Sequence, residues 1–276
     1  MKIQAGQVAV ITGAGGGIGK QLAAQLAHRG VNLALVDINP DALEATQQSL
    51  SNSSVRITLH ALNIGDCEGM KALADDVVEA HGGVNILINN AGITIQKSFE
   101  THSIEDWRRV MDVNWWGVIY ACKFFLPALK AAGKKDGAHI INLSSMAAFV
   151  GLPEQASYCT TKSAVQVLSE TLWSEFNDDN IGVTAVHPGC VKTDMIKATM
   201  NESDNVELAE RHYNMVQRVG VSAEYAAARM LKAIEKNSIR IRIGKDSIML
   251  DLIKRLLPKG ILKPMVKVHR QSLTTP

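Results

Sequence analysis

The sequence predicts an α/β fold, a doubly wound parallel sheet of about seven strands with helices on both faces. Three observations carry this expectation. Six hydrophobic strand-like runs each stop at a polar or glycine-rich cluster: Gly13, Asp37, Asn63, Asn90-Ala91-Gly92, Ser144-Ser145 and Pro188-Gly189. Helix-length patterns separate the runs, and short strands alternating with helices imply right-handed parallel crossovers. The alternation never pauses for a linker, and no internal repeat or low-complexity tract breaks it. A chain of 276 residues with 46% apolar content therefore reads as one domain around a substantial core. Residues 1–245 carry the alternation and residues 246–276 form a basic amphipathic C-terminal extension.

The elements follow in order. Val8–Thr12 is the first strand, and a helix runs from Gly17 to Arg29, closed by Gly30. Asn32–Val36 is the second strand. Pro40 opens the next helix, where a missing N–H costs nothing. Val55–Ala61 and Val84–Ile88 are the third and fourth strands. A long helix starts at Ser103, where Ser103-x-x-Asp106 is a capping signal, and continues to Ala132, punctuated by Gly117 and Pro127. His139–Leu143 is the fifth strand, Gln155–Asn177 a helix and Gly182–Val186 the sixth strand. Residues 193–215 are helical but poorly patterned. Ser222–Lys236 is a clear helix, and Ser238–Ile243, alternating apolar and basic residues, suits a last strand.

The extension carries Ile248, Met249, Leu252, Ile253, Leu256 and Leu257 at helical spacing, with Asp251, Lys254 and Arg255 off the stripe. Pro258 stops that helix. Beyond it Ile261, Leu262, Met265 and Val266 interleave with Lys259, Lys263 and Lys267. The stripe suits three surfaces: its own subunit or a dimer mate, a membrane surface, or an apolar substrate beneath a lid.

Net charge is only +2 but unevenly spread: residues 229–276 hold 12 Lys or Arg against 3 Asp or Glu, and the remainder 17 against 24. The basic end lacks the aromatic-rich face of a nucleic-acid binder, so no nucleic-acid partner is expected. The first strand leaves no room for a secretory leader, and no apolar run approaches the ~20 residues of a spanning helix. Cys67, Cys122, Cys159 and Cys190 are scattered, as free thiols of a reducing cytoplasm would be. The eight histidines show no metal-ligand spacing, and no catalytic metal is expected.

A strand that breaks into glycines and restarts as a helix makes a phosphate cradle, because bare backbone can approach a pyrophosphate and the helix start offers free N–H groups. Here the loop is Thr12-Gly13-x-x-x-Gly17-x-Gly19. Asn89-Asn90-Ala91-Gly92 follows the fourth strand. Tyr158 and Lys162 stand four apart on one helix face, and Ser145 precedes Tyr158 by thirteen residues. Pro188-Gly189-Cys190-Val191-Lys192-Thr193 follows the sixth strand. Together these motifs resemble the short-chain dehydrogenase/reductase family over about residues 5–245, nearly the whole chain. The resemblance implies a Rossmann-like fold, a nicotinamide cofactor and a catalytic set of Asn114, Ser145, Tyr158 and Lys162.

It also implies the cofactor contacts Gly13, Gly17, Ile18, Gly19, Asp37, Ile38, Asn63 and Ile64, with the glycine loop at the pyrophosphate, Asp37 at the adenosine ribose and Asn63 at the adenine. Asn90, Ala91, Gly92, Tyr158 and Lys162 would line the middle, with Pro188, Gly189, Val191 and Thr193 at the nicotinamide. A carboxylate at 37 can accept both ribose hydroxyls and would repel a 2′-phosphate. The sites where NADP users place Arg or Lys are Gly16 and Ile38 here, so NAD is the expected cofactor. Asn63 departs from the family's usual Asp and loses its charge.

Each residue also has a plain structural alternative. Asp37 could cap the helix at Pro40, Asn63 could favour a turn, Asn114 could be a satisfied core amide and Thr193 a helix cap. For the reaction, a neighbouring ammonium favours the Tyr158 phenolate, Tyr158 exchanges the proton, and Ser145 donates to the substrate oxygen. Ser145, Met146, Tyr158, Cys190, Met195 and Met200 are the candidates for touching substrate, a secondary alcohol or ketone, with Ile196 and Met215 nearby in the same variable segment. The alternatives are an NADP-linked carbonyl reductase and a catalytically silent NAD-binding scaffold. The resemblance further implies a homodimer or homotetramer formed through the helices near residues 105–130 and 155–177.

Overall fold

The architecture follows from a chain that winds outward twice from its first strand. A computed structural model describes residues 1–51 and 53–266. Its strands are β1 (Val8–Thr12), β2 (Asn32–Asp37), β3 (Ile57–Ala61), β4 (Ile86–Asn89), β5 (Ala138–Leu143), β6 (Ile181–Pro188) and β7 (Arg240–Ile243). They form one seven-stranded sheet in the order β3-β2-β1-β4-β5-β6-β7, with every neighbouring pair parallel. The chain runs β1-β2-β3 in one direction and then crosses to β4 on the other side of β1. The strand order therefore reverses between β1 and β4, the place where ligands bind in such sheets.

The sheet is covered on both faces, and β1, β4, β5 and β6 are buried throughout. Successive residues of a strand point to opposite faces. Ala9, Ile11, Ile86 and Ile88 accordingly join α1 (Gly17–His28), α2 (Pro40–Gln48) and α9 (Ala223–Glu235) through Leu22, Leu43 and Met230 in one core. Val10 and Leu87 join α3 (Cys67–His81), α5 (Gly117–Gly133) and α6 (Ala156–Glu175) through Met70, Phe125 and Val165 in the other.

The expected helix over 103–132 is divided. The capping box forms, with the Asp106 N–H donating to Ser103 Oγ at 3.0 Å and the Ser103 N–H to Asp106 Oδ2 at 3.2 Å. It opens α4 (Ile104–Met111), which passes into a five-residue π segment, Asp112–Trp116, before α5 begins. Neither Gly117 nor Pro127 breaks the helix. Pro127 sits inside α5 on its exposed side, and Lys123, whose carbonyl loses its helical donor, is exposed with it.

Segment 193–215 becomes α7 (Met195–Ala198), a 3₁₀ turn at Met200–Glu202 and α8 (Val206–Val219). β3 starts two residues later than Val55, because Asn32 Oδ1 takes the Arg56 N–H at 2.9 Å in place of a strand partner. Beyond β7 the chain ends its described course in α10 (Lys245–Leu256) and a helical turn at 262–266.

Candidate active site

The polar clusters at the carboxyl ends of β1, β2, β4, β5 and β6 share a cleft of about 390 Å³. At its centre β1 ends in Thr12, whose Oγ1 accepts the N–H groups of Asn90 at 3.0 Å and Ala91 at 3.1 Å. The Asn90 amide returns the link, donating to the carbonyls of Thr12 at 2.9 Å and Gly13 at 3.1 Å. The glycine loop is thereby tied to the end of β4. Gly13 and Gly17 hold positive φ values of 67° and 50°, a region glycine enters without strain. Gly19 serves packing: a Cβ there would collide with the Gly13 carbonyl.

The start of α1 has Gly16 at its cap position and no side-chain partner. A Cβ on Gly16 would meet nothing within 4 Å. An uncapped helix start that opens on a cleft fits a phosphate group. At one end of the cleft the Asp37 carboxylate accepts the Gly15 N–H at 2.9 Å and the Asn39 N–H at 3.0 Å. Those two bonds orient it and leave lone pairs for ribose hydroxyls. The residues present thus fit a nicotinamide dinucleotide, with the α1 start at its phosphates and Asp37 at a ribose.

At the other end α6 presents Tyr158 and Lys162 beside Ser145, the residue after Ser144 at the end of β5. Lys162 is 4% exposed and its Nζ donates to the Leu143 carbonyl at 2.9 Å. The same Nζ lies 5.7 Å from the centre of the Tyr158 ring. Burial holds the ammonium down at about 8. It also pushes the Tyr158 phenol up to about 12, although a hydrogen bond with Ser145 pulls the other way. Burial thus sets the direction of the phenol's shift, and the expected stabilisation of the phenolate by Lys162 does not offset it here. Ser144, adjacent in sequence, turns its hydroxyl to the Lys162 carbonyl at 2.7 Å.

Asn114 lies in the π segment with no exposed surface. It clamps Ile93, accepting its N–H and donating to its carbonyl, both at 2.8 Å. A Cβ on Gly92 would sit 3.1 Å from Asn114 Oδ1 and 3.2 Å from Lys162 Nζ, so the bare backbone lets these groups approach. Pro188, Gly189, Val191 and Thr193 close the wall that follows β6.

Other expected residues stand back from the cleft. Ile64 is buried in the core beside Gly117, and Asn63 Oδ1 closes a turn by accepting the Gly65 N–H at 3.0 Å. Ile38 is 69% exposed beside Asp37. Of the residues named for substrate, Ser145, Tyr158 and Met195 line the cleft. Met146 and Met200 lie half-buried in short turns outside it, and the Cys190 thiol is pushed up to about 11, chiefly by burial.

The sequence reading missed Leu143, Asp194 and Ala198 in the lining. It also missed Asp246, whose Oδ2 accepts the Cys190 N–H at 2.6 Å from 56 residues away. Among the described residues no group of His, Cys, Asp and Glu is placed to hold a metal ion.

The family model described as short chain dehydrogenase matches residues 7–204. Cyclohexanol dehydrogenase of Acinetobacter sp. strain SE19 is 37% identical over 203 residues, 73% of this chain and 79% of that protein. Trans-4-hydroxycyclohexanecarboxylate dehydrogenase of Sinomonas cyclohexanicum is 35% identical over 196 residues, 68% of this chain and 74% of its own. The crystal structure of a short chain dehydrogenase/reductase from Burkholderia phymatum in complex with NAD matches with a TM-score of 0.85 at 27% identity, covering 92% of this chain and 95% of that one. The family match runs from the residue before β1 to beyond Thr193 and takes in every loop of the cleft, so the chain belongs to the short-chain dehydrogenase/reductase family of oxidoreductases.

Proposed function

We propose that this oxidoreductase is an NAD-dependent dehydrogenase of apolar secondary alcohols, with compact alicyclic alcohols as the first class to test. One observation carries the reading. Tyr158, Lys162 and Ser145 converge at one end of a cleft whose other end is the carboxylate of Asp37. The two relatives named for alicyclic alcohols support the substrate class, as do Leu143, Val191, Met195 and Ala198 in the walls.

Bound in the cleft, the oxidised nicotinamide supplies a hydride acceptor and a positive charge. Tyr158 takes the proton of the substrate hydroxyl as the hydride leaves the adjacent carbon, and returns it in the reverse direction. The Lys162 ammonium, together with the positive charge that the bound cofactor would bring, would oppose the burial that holds the Tyr158 pKa up. The Ser145 hydroxyl donates to the substrate oxygen as negative charge develops there. Lys162, anchored on the Leu143 carbonyl, orients the tyrosine face and offers its remaining protons to a ribose. Asn114 holds the Ile93 backbone beside Gly92 and Lys162, where a bound water could join a proton path.

Asp37 selects the cofactor. Each hydrogen bond to a charged acceptor contributes about 1.5–3 kcal/mol, so losing the ribose contacts predicts a preference for NAD of roughly a hundredfold. The test is a titration of the protein with NADH and NADPH. It is followed by rates with cyclohexanol, substituted cyclohexanols and linear secondary alcohols, read at the reduced-nicotinamide absorbance. NADPH binding as tight as NADH would overturn the cofactor assignment, and turnover restricted to linear or charged alcohols the substrate class. The same reading includes a homo-oligomer built on α5 and α6, where Trp116, in the π segment that leads into α5, and Val167 on α6 are exposed. Sedimentation of the purified protein tests it, and a monomer at all concentrations would count against it.

A further inference from the structure

The last described helix is built inside out. α10 buries Ser247 and Asp251 and turns Met249, Leu252 and Leu256 outward, the last with 78% of its surface exposed. The polar side is held by specific bonds. Asp251 accepts Arg242 at 2.7 Å and Arg240 and Arg255 at 3.0 Å. The Ser247 hydroxyl donates to the His187 carbonyl at 2.8 Å, and Asp246 takes the Cys190 N–H. Three anchors on β6, β7 and the loop after β6 therefore fix which side of α10 faces the protein. The apolar side, with Ile248, Ile253 and Leu257, is left to the surroundings. Leu262 and Val266 extend it beyond Pro258.

The exposed charges that this segment itself carries are of one sign. Over residues 245–266 both acids, Asp246 and Asp251, are engaged toward the protein, while Lys245, Arg255, Lys259 and Lys263 are exposed. An apolar face about three helical turns long, whose own exposed charges over residues 245–266 are all cations, complements a layer with an anionic surface and an apolar interior. A second copy would bring a like-charged rim against this one. Among the described residues no helix is long and apolar enough to cross a membrane, so the geometry is that of a helix lying in the surface.

We propose that α10 and the turn after it dock this enzyme on bilayers containing anionic phospholipid, with Met249, Leu252, Leu256 and Leu257 inserted and Lys259 and Lys263 on the headgroups. The test is co-sedimentation of the full chain with phosphatidylcholine vesicles with and without phosphatidylglycerol, at physiological ionic strength. The variants are Leu252→Glu with Leu256→Glu, and Lys259→Glu with Lys263→Glu. All four side chains point away from the protein, and a thermal midpoint unchanged from the parent certifies each fold independently of catalysis. The expected result is binding only to vesicles with phosphatidylglycerol. The leucine pair should weaken it at least about tenfold and the lysine pair about thirtyfold or more, with no change of mass in sedimentation. Equal binding to neutral vesicles, or no binding, overturns the proposal. So does a leucine pair that leaves binding intact, or one that splits the native assembly, which would make the face a seam between copies.

Discussion

At the residue scale, Tyr158 and Lys162 are set against each other by the same burial. Taken out of water, the phenol is pushed up to about 12 and the ammonium down to about 8, each toward its neutral form. The proposed proton carrier and its basic neighbour are thus both poised to respond to charge entering the cleft. Tyr158→Phe keeps the ring and removes the oxygen. It should leave less than about a hundredth of turnover while NADH still quenches or shifts fluorescence with nearly the parental affinity. Turnover above that level would remove Tyr158 from the acid–base role. Lys162→Ala loses the tie to the Leu143 carbonyl and a ribose donor together, so it should raise the dissociation constant for NADH as well as slow the reaction. An unchanged constant would confine Lys162 to the proton chemistry. Asp37→Ser with Ile38→Arg should move preference toward NADP, because the acceptor of the ribose hydroxyls is replaced by a cation that suits a 2′-phosphate. A double variant still strict for NAD would show that other groups discriminate.

At the element scale, what the sequence disclosed depended on how local each signal was. Tyr158 and Lys162 were legible because a four-residue spacing on one helix brings side chains together whatever else the fold does. Ser145 and the glycine loop were legible because they sit at strand ends, and strand ends gather at one edge of a parallel sheet. The π segment Asp112–Trp116 was not, since an apolar pattern continues across it and Gly117 and Pro127 are stronger conventional breakers. Nor was Asp246, whose partner lies 56 residues away. Periodicity also marked the apolar stripe of α10 but not which way it faces, which Asp251 decides through three arginines drawn from β7 and its own helix. The π segment has a checkable consequence. Widening the helix there aims Asn114 at the Ile93 backbone, satisfying a donor and an acceptor that would otherwise be stranded. Asn114→Ala should cost about 1–3 kcal/mol of stability for the unpaired groups and slow turnover more than it weakens NADH binding. A urea midpoint and turnover both equal to the parent's would make the clamp dispensable.

At the scale of the whole molecule, two buried histidines tie the sheet's integrity to pH. His139 on β5 and His187 on β6 are each fully buried. Gly182 faces His139 across the strands, and a Cβ there would collide with the ring. Thr184 donates to the Ser238 carbonyl, so its oxygen receives the His139 Nε2–H at 2.8 Å and the proton sits on Nε2. His187 donates from Nδ1 to the Ser145 carbonyl at 3.1 Å. The remaining nitrogens, His139 Nδ1 and His187 Nε2, have no partner among the described residues. As bare lone pairs they are tolerable, but a second proton would add a buried donor with no acceptor. Burial accordingly depresses His139 to about 3 and His187 to about 4. With folded values below the unfolded 6.5, the unfolded chain binds more protons between them. Stability is therefore complete above about 6.5 and falls as acid is added, by up to about 1.4 kcal/mol per pH unit for each histidine. Two such groups over two units approach the lower end of the stability of a typical domain. Urea unfolding at pH 7.0, 6.0 and 5.0 should show this slope, reduced in His139→Gln, whose amide still reaches toward Thr184 without titrating, and reduced further when His187→Gln is added, the remainder coming from His60, His81, His102 and His212, which burial also lowers. A double variant as acid-sensitive as the parent would move the effect to other groups, whereas a shallower profile would show that the strands that lead into Ser145 and Pro188-Gly189 help set the acid limit of the fold.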